Sequence, residues 1–251
     1  MYLAEKLNDE IFYYKNVINN PSRIIELINE LDLDETTYPV IPKWKGWISN
    51  SSDGRLRGGD KEFFVNNLPL LISPRKNDVT YILDTIRSAI NDTATAYYRD
   101  RGFDGTPNTS PFIGIKRYDE GCFLGPHFDT QSGDKSLKYS MVLYFNDDYE
   151  GGELSFIVRD YDLRDPENGH LVPNEYANHP DNQGLIDFTL KPEPGSVLIF
   201  PSHHPYMHQV HMVTAGSKYM FPGFIFIDDY NPANPDSIKK YNGGSSEYVE
   251  E

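Results

Sequence analysis

From Pro111 onward the chain is written as short apolar runs, FIGIKRY, LKYSMVLYFN, GELSFIV, GLIDFTL, GSVLIF and KYMFPGFIFI, punctuated by Gly, Pro, Asn and Asp. β-Branched and aromatic residues in runs this short, with turn formers between them, specify strands rather than helices. Many short strands must close on one another as a sandwich or barrel, because each sheet has to bury its apolar face against a second layer. Several runs are apolar at consecutive positions, so both of their faces are covered, as expected where helices back one sheet. The expected class is therefore mainly β with supporting helices, an α+β arrangement.

The helices come from the first half of the chain. A strand-like run around Ile11–Lys15 is followed by Asn20-Pro21-Ser22, which offers helix-start chemistry, and Ile24, Leu27, Ile28 and Leu31 then recur at helical spacing. A longer helix is expected after Ser73-Pro74, with Val79, Ile82, Ile86, Ile90 and Tyr97 along one side and Gly102 as its stop. Between the two lies the glycine- and serine-rich loop Ser49–Asp60, and the polar stretch Arg159–Gln183 is too long for a hairpin turn. Both are expected to flank one mouth of the barrel. The 251 residues fit one domain. Within it, residues 1–110 support, 111–228 form the catalytic core and 229–251 are a loosely held tail.

Charge narrows the partners. With 23 basic and 38 acidic residues the chain carries a formal charge of −15, which disfavours a nucleic-acid partner and leaves a peptide or small-molecule substrate. Cys122 is the single cysteine, so neither an intrachain disulfide nor a cysteine-based zinc site is available. The opening MYLAEKLNDEIFYY lacks the pattern of a signal peptide, and no window resembles a membrane span. A cytoplasmic protein with no membrane partner is the expectation.

The chemistry concentrates in GPHFDT. His127 and Asp129 are two apart, and in an extended segment both side chains leave the same face, so both reach one metal ion. Two histidines and one carboxylate form the facial triad of non-heme iron(II) oxygenases, which leaves three octahedral positions open. The downstream cluster HHPYMHQVH offers His203, His204, His208 and His211 as the third ligand. His208 opens a strand–turn–strand unit in which Lys218 lies ten residues further on, a spacing suited to two adjacent strands facing one cavity. In a strand, residues an odd number apart point to opposite faces, so His208 and His211 cannot both face that cavity without a bulge.

Residues 113–226 resemble the prolyl 4-hydroxylase-like group of iron(II)/2-oxoglutarate dioxygenases. The family pattern runs as a tyrosine, H-x-D, Y-L-N, G-G-E and finally H-x-x-x-x-V-x-x-G-x-K. Here Tyr118 precedes His127 and Asp129, Tyr144-Phe145-Asn146 stands for Y-L-N, and Gly151-Gly152-Glu153 follows. His208, Val213, Gly216 and Lys218 complete the series, and this register selects His208 as the third ligand. Met212 and Tyr219 depart from the family's frequent proline and tryptophan.

The resemblance implies a double-stranded β-helix, or cupin-like jelly roll, with Fe(II) held by His127, Asp129 and His208 inside one open end. It implies 2-oxoglutarate as cosubstrate, anchored by Lys218 with Tyr118 and Tyr144 lining its pocket, O2 as co-reactant and ascorbate as reductant. An iron dication, one carboxylate ligand, a dicarboxylate cosubstrate and one lysine together carry no net charge, which a buried site requires. The implied reaction couples decarboxylation to succinate with hydroxylation of a C–H bond, and Asp129 favours hydroxylation over halogenation. Peptidyl proline is the expected substrate, with a free amino acid or other small molecule as alternative. Two rival readings are a catalytically silent jelly-roll binding domain and a zinc- or manganese-loaded cupin-like isomerase.

Overall fold

The computed structural model describes residues 2, 4–30, 45–46, 61–64, 76–110, 113–130, 136–157, 173–228 and 230. In chain order its elements are β1 (Ala4–Lys6), β2 (Phe12–Tyr14), α1 (Pro21–Glu30), β3 (Lys45–Gly46), β4 (Lys61–Phe64), α2 (Lys76–Arg101), β5 (Asn108–Thr109), β6 (Gly114–Asp119) and β7 (Leu124–His127). There follow β8 (Leu137–Tyr144), β9 (Glu150–Gly151), β10 (Leu154–Ile157), α3 (Pro180–Gln183), β11 (Ile186–Leu190), β12 (Val197–Pro201), β13 (His208–Val210), β14 (Val213–Ala215) and β15 (Ser217–Phe226). A large sheet runs β1-β2-β12-β8-β15-β6-β4-β3, with β5 on the far part of β15. A small sheet runs β11-β10-β13-β7, and β14 pairs β9. The expected jelly roll is present: two antiparallel sheets face each other and enclose one apolar interior.

Period-2 alternation explains why the central runs look apolar throughout. On β8, Met141 and Leu143 pack towards the helices, while Val142 and Tyr144 face the space between the sheets. β12 divides in the same way, with Val197 and Ile199 on the helix side and Leu198 and Phe200 inside. The inner cluster is completed from the small sheet by Leu124, Leu154, Phe156 and Val210. Helices thus cover one face of the large sheet and the small sheet covers the other.

The helices form where the spacing placed them. α1 buries Ile24, Leu27 and Ile28, and α2 buries Val79, Ile82, Ile86, Ile90 and Tyr97. Each such isoleucine, removed from water, contributes about 1.5–3 kcal/mol. α2 stops at Gly102, whose φ is +67°. Gly102 N donates to Arg99 O at 3.1 Å and Phe103 N to Tyr98 O at 2.8 Å, the paired bonds that satisfy the last carbonyls of a helix ending in a left-handed glycine. Among the described residues no helix is long and apolar enough to cross a membrane.

One expectation changes. His208 and Lys218 do not lie on adjacent strands: β13 belongs to the small sheet and β15 to the large one, with β14 between them in sequence. They approach one interior from opposite walls, because the short run before Gly216 pairs with β9 instead of continuing β13. The loop Ser49–Asp60 and the tail beyond Tyr230 lie outside the described residues. Of Arg159–Gln183, the part from residue 173 is described, and it packs on the small sheet through Phe123–Tyr176 ring contact and an Asn178 bond to His211.

The Gly-Gly of the G-G-E segment is dictated by close approach. Gly151 has φ +69°, and a Cβ there would sit 2.2 Å from the Met212 carbonyl oxygen. Gly151→Ala is expected to destabilise the fold by at least about 2 kcal/mol, because strain and overlap add. Gly105→Ala, at φ +87° with no atom within 4 Å of the added Cβ, should cost about 1 kcal/mol. Urea unfolding midpoints of the two variants check the difference.

Candidate active site

The small sheet brings the two histidines together. In the β13–β7 ladder His208 stands directly opposite His127, with ring centroids 4.3 Å apart. Both are buried, at 4% and 8% exposure. His127 Nδ1 lies 2.7 Å from the Gly125 carbonyl and His208 Nδ1 lies 3.2 Å from that of Tyr206. A carbonyl only accepts, so each Nδ1 carries a proton, which leaves Nε2 as the nitrogen available to a metal. Those Nε2 atoms converge on Asp129: His127 Nε2 is 3.5 Å from Oδ1 and His208 Nε2 is 3.6 Å from Oδ2.

The carboxylate is itself held. Ser140 Oγ donates to Asp129 Oδ2 at 2.5 Å, and Ser140 shares a 2.8 Å hydrogen bond with Ser202. Asp129 N donates to the Ser202 carbonyl at 3.1 Å, which ties the segment after β7 to the end of β12. One ligand atom from each of His127, Asp129 and His208 lies within 4.8 Å of the others. Two neutral imidazole nitrogens and one carboxylate, fixed from behind and open in front, suit a divalent transition metal.

A second polar group lies on the large sheet. Lys218 is fully buried on β15, paired with Tyr118 of β6 in the ladder, and its Nζ donates to the Gly152 carbonyl at 2.5 Å. Nζ sits 5.3 Å from the Tyr144 ring centroid and 5.9 Å from that of Tyr149. Burial pushes its amine down to about 7, against the opposing pull of Glu153. Burial also raises the Tyr144 and Tyr149 hydroxyls well above their ordinary range, so both stay protonated. Neither hydroxyl has a hydrogen-bond partner in its buried position. An unpartnered buried donor costs roughly 1–3 kcal/mol, and two beside a buried lysine suit an incoming acceptor such as a carboxylate.

The remaining histidines stand apart. His203 and His204 are exposed in the loop between β12 and β13. His211, half buried, bonds Ser155 Oγ at 2.5 Å and Asn178 Oδ1, and it lies outside the converging group, as the odd spacing from His208 required. Ser140, Ser202 and Tyr149 were not singled out from the sequence. Ser140 did carry a signal, since it shares strand parity with the inward Val142 and Tyr144 and is polar. Tyr149 carried none, because it lies in a loop between β8 and β9.

The jelly roll, with this group at one end, defines a metal-dependent oxygenase. The profile of the 2OG-Fe(II) oxygenase superfamily matches residues 113–226. The fold is similar to that of a prolyl-4-hydroxylase from Pseudomonas putida, at 14% identity and TM-score 0.50, over 86% of this chain and 92% of that one. It is also similar to a prolyl hydroxylase from Trichoplax adhaerens solved with a hypoxia inducible factor peptide fragment, at 15% identity and TM-score 0.55, over 95% of this chain and 88% of that one. At these identities the likeness is one of fold. No curated protein matches this chain. The chain is thus a 2-oxoglutarate-dependent dioxygenase.

Ser140 fixes the carboxylate without belonging to the converging group. Ser140→Ala is expected to lower Fe(II) affinity about 10- to 100-fold, the range found when a hydrogen bond behind a ligand is removed. Metal titration of the variant beside Ser140→Thr, which keeps the hydroxyl, checks this.

Proposed function

We propose that the protein hydroxylates a C–H bond of a peptide, with peptidyl proline as substrate. In this reading His127, Asp129 and His208 hold Fe(II), while Lys218, Tyr118 and Tyr144 bind 2-oxoglutarate. The observation that carries it is the convergence of His127, Asp129 and His208 to within 4.8 Å inside the barrel end. The buried Lys218 on the opposite wall supports the cosubstrate assignment. The peptide reading is supported by the order of motifs through residues 113–226. When bound, iron and 2-oxoglutarate supply the oxidation, with release of succinate and CO2.

The chain's own residues do the positioning. The Gly125 and Tyr206 carbonyls lock both imidazoles with Nε2 towards the metal position, and Ser140 holds Asp129 against rotation. Lys218 offers an ammonium to the distal carboxylate, and the Tyr144 hydroxyl offers a donor beside it. Phe156 and Phe200 press on the His208 ring at 6.0 and 4.7 Å and keep water from that side.

Purified protein with Fe²⁺ and ascorbate is expected to form succinate slowly without substrate. His208→Ala should lose bound iron and this turnover, while His211→Ala should keep both. Retained iron and succinate formation in His208→Ala, with loss in His211→Ala, would overturn the assignment.

Lys218 adds a pH dependence. The dianionic cosubstrate needs the ammonium form, but in the ligand-free protein that amine titrates at about 7. Below that pH the lysine is already charged and affinity is full. Above it each binding event must take up a proton, so Kd should rise by up to tenfold per pH unit. Calorimetry between about pH 6.5 and 9 reads this slope, and Lys218→Met should abolish it together with tight binding.

A further inference from the structure

The metal group is one end of a longer row. Across all four strands of the small sheet, His127 stands opposite His208, His208 opposite Phe156, and Phe156 opposite Phe188. The ring centroids step by 4.3, 6.0 and 4.9 Å along this row. It crosses the barrel at the level where β7 ends and β13 begins, and Phe188 lies two strands from His208. Two strand spacings are about 10 Å.

At the Phe188 end the seam between the sheets is open. A groove of about 560 Å³ lies between Leu7 and Asn8 of the β1–β2 turn and Asp187 and Phe188 of β11. Behind it the seam closes to a crevice walled by Ile11, Phe156, Ile157, Pro205 and Tyr206, too tight for a water molecule. Tyr206 is also the residue whose carbonyl orients His208, so the crevice and the metal group share a wall. Asp187 is exposed on this rim, and its carboxylate has neither an ion-pair nor a hydrogen-bond partner among the described residues. Among the described strands β11 pairs with β10 alone.

We propose that this groove receives the flank of an extended peptide substrate, an apolar side chain lying against Leu7 and Phe188 and a basic one meeting Asp187. The proposal rests on the peptide-hydroxylase reading and adds a rule of spacing and charge to it. An extended chain advances about 3.3 Å per residue, so 10 Å places the apolar anchor about three residues from the oxidised one. The Asp187 carboxylate on the rim, in a protein of formal charge −15, selects a basic residue beside that anchor. Leu7 and Phe188 of the groove supply affinity and Asp187 supplies discrimination.

The test uses synthetic Gly/Ser peptides with one proline, a leucine three residues from it on either side, and lysine or glutamate next to the leucine. Peptide-dependent succinate release by the iron-loaded protein gives KM, and mass spectrometry reads the added oxygen. The lysine peptide is expected to show a KM about three- to tenfold below the glutamate peptide, the scale of one exposed ion pair. Moving the leucine next to the proline should remove most of the advantage. Asp187→Lys should reverse the charge order while leaving uncoupled succinate release unchanged. If peptides are hydroxylated but Asp187→Lys keeps the original order, the groove assignment is wrong and the peptide reading stands. If no peptide gains oxygen while uncoupled release persists, the peptide reading fails and the groove assignment falls with it.

Discussion

Pairing of β7 with β13 is the interaction on which the site depends. It sets His127 opposite His208 with 4.3 Å between their rings, a separation no loop would maintain without a ladder beneath it. A slip of one residue would turn either imidazole to the outer face of the sheet, because the side-chain period is 2. The slip is resisted on both sides of the ladder. Val210 and Leu124 are buried in the inner cluster, and β13 is held on its other edge by β10 through Leu154, Ser155 and Phe156. The metal geometry is thus a by-product of core packing, and the same register carries the aromatic row out to Phe188.

The two walls of the barrel divide the work. The small sheet presents imidazoles whose orientation is set by backbone carbonyls at short range, so it fixes direction. The large sheet presents Lys218 and the tyrosines, surrounded by helix-backed core, so it fixes a low-dielectric environment. Burying an amine whose hydrogen bond among the described residues goes to the Gly152 carbonyl is unfavourable, which is why its protonation is pushed down towards neutral pH. A carboxylate arriving beside it would restore the ordinary preference for the charged form. The Tyr144 and Tyr149 hydroxyls beside that amine are likewise buried without a hydrogen-bond partner among the described residues.

Much of the fold is legible in the chain because its signals are local. The apolar runs after Pro111 became β6, β8, β10, β11, β12 and β15, and the helical spacing of Ile24 to Ile28 and of Val79 to Tyr97 became α1 and α2. Gly102 ends α2 as a left-handed glycine should. The H-x-D spacing put a histidine and an aspartate on one face, and the odd interval from His208 to His211 left His211 outside the converging group. Less legible was which strand neighbours which. His208 and Lys218, ten residues apart, suggested adjacent strands, but the intervening β14 pairs with β9 and sends them to different sheets.

By itself, then, the sequence determined the strand and helix content, the residue types of the metal group and the lysine that accompanies it, all properties carried by spacing along one segment. Only the tertiary structure decided that Ser140 braces Asp129, that Tyr149 joins Tyr144 beside Lys218, and that the row from His127 to Phe188 opens on Asp187. These depend on long-range pairing between strands far apart in the chain. Such contacts follow from how two sheets close on each other, and no local pattern of apolar and polar residues encodes that closure.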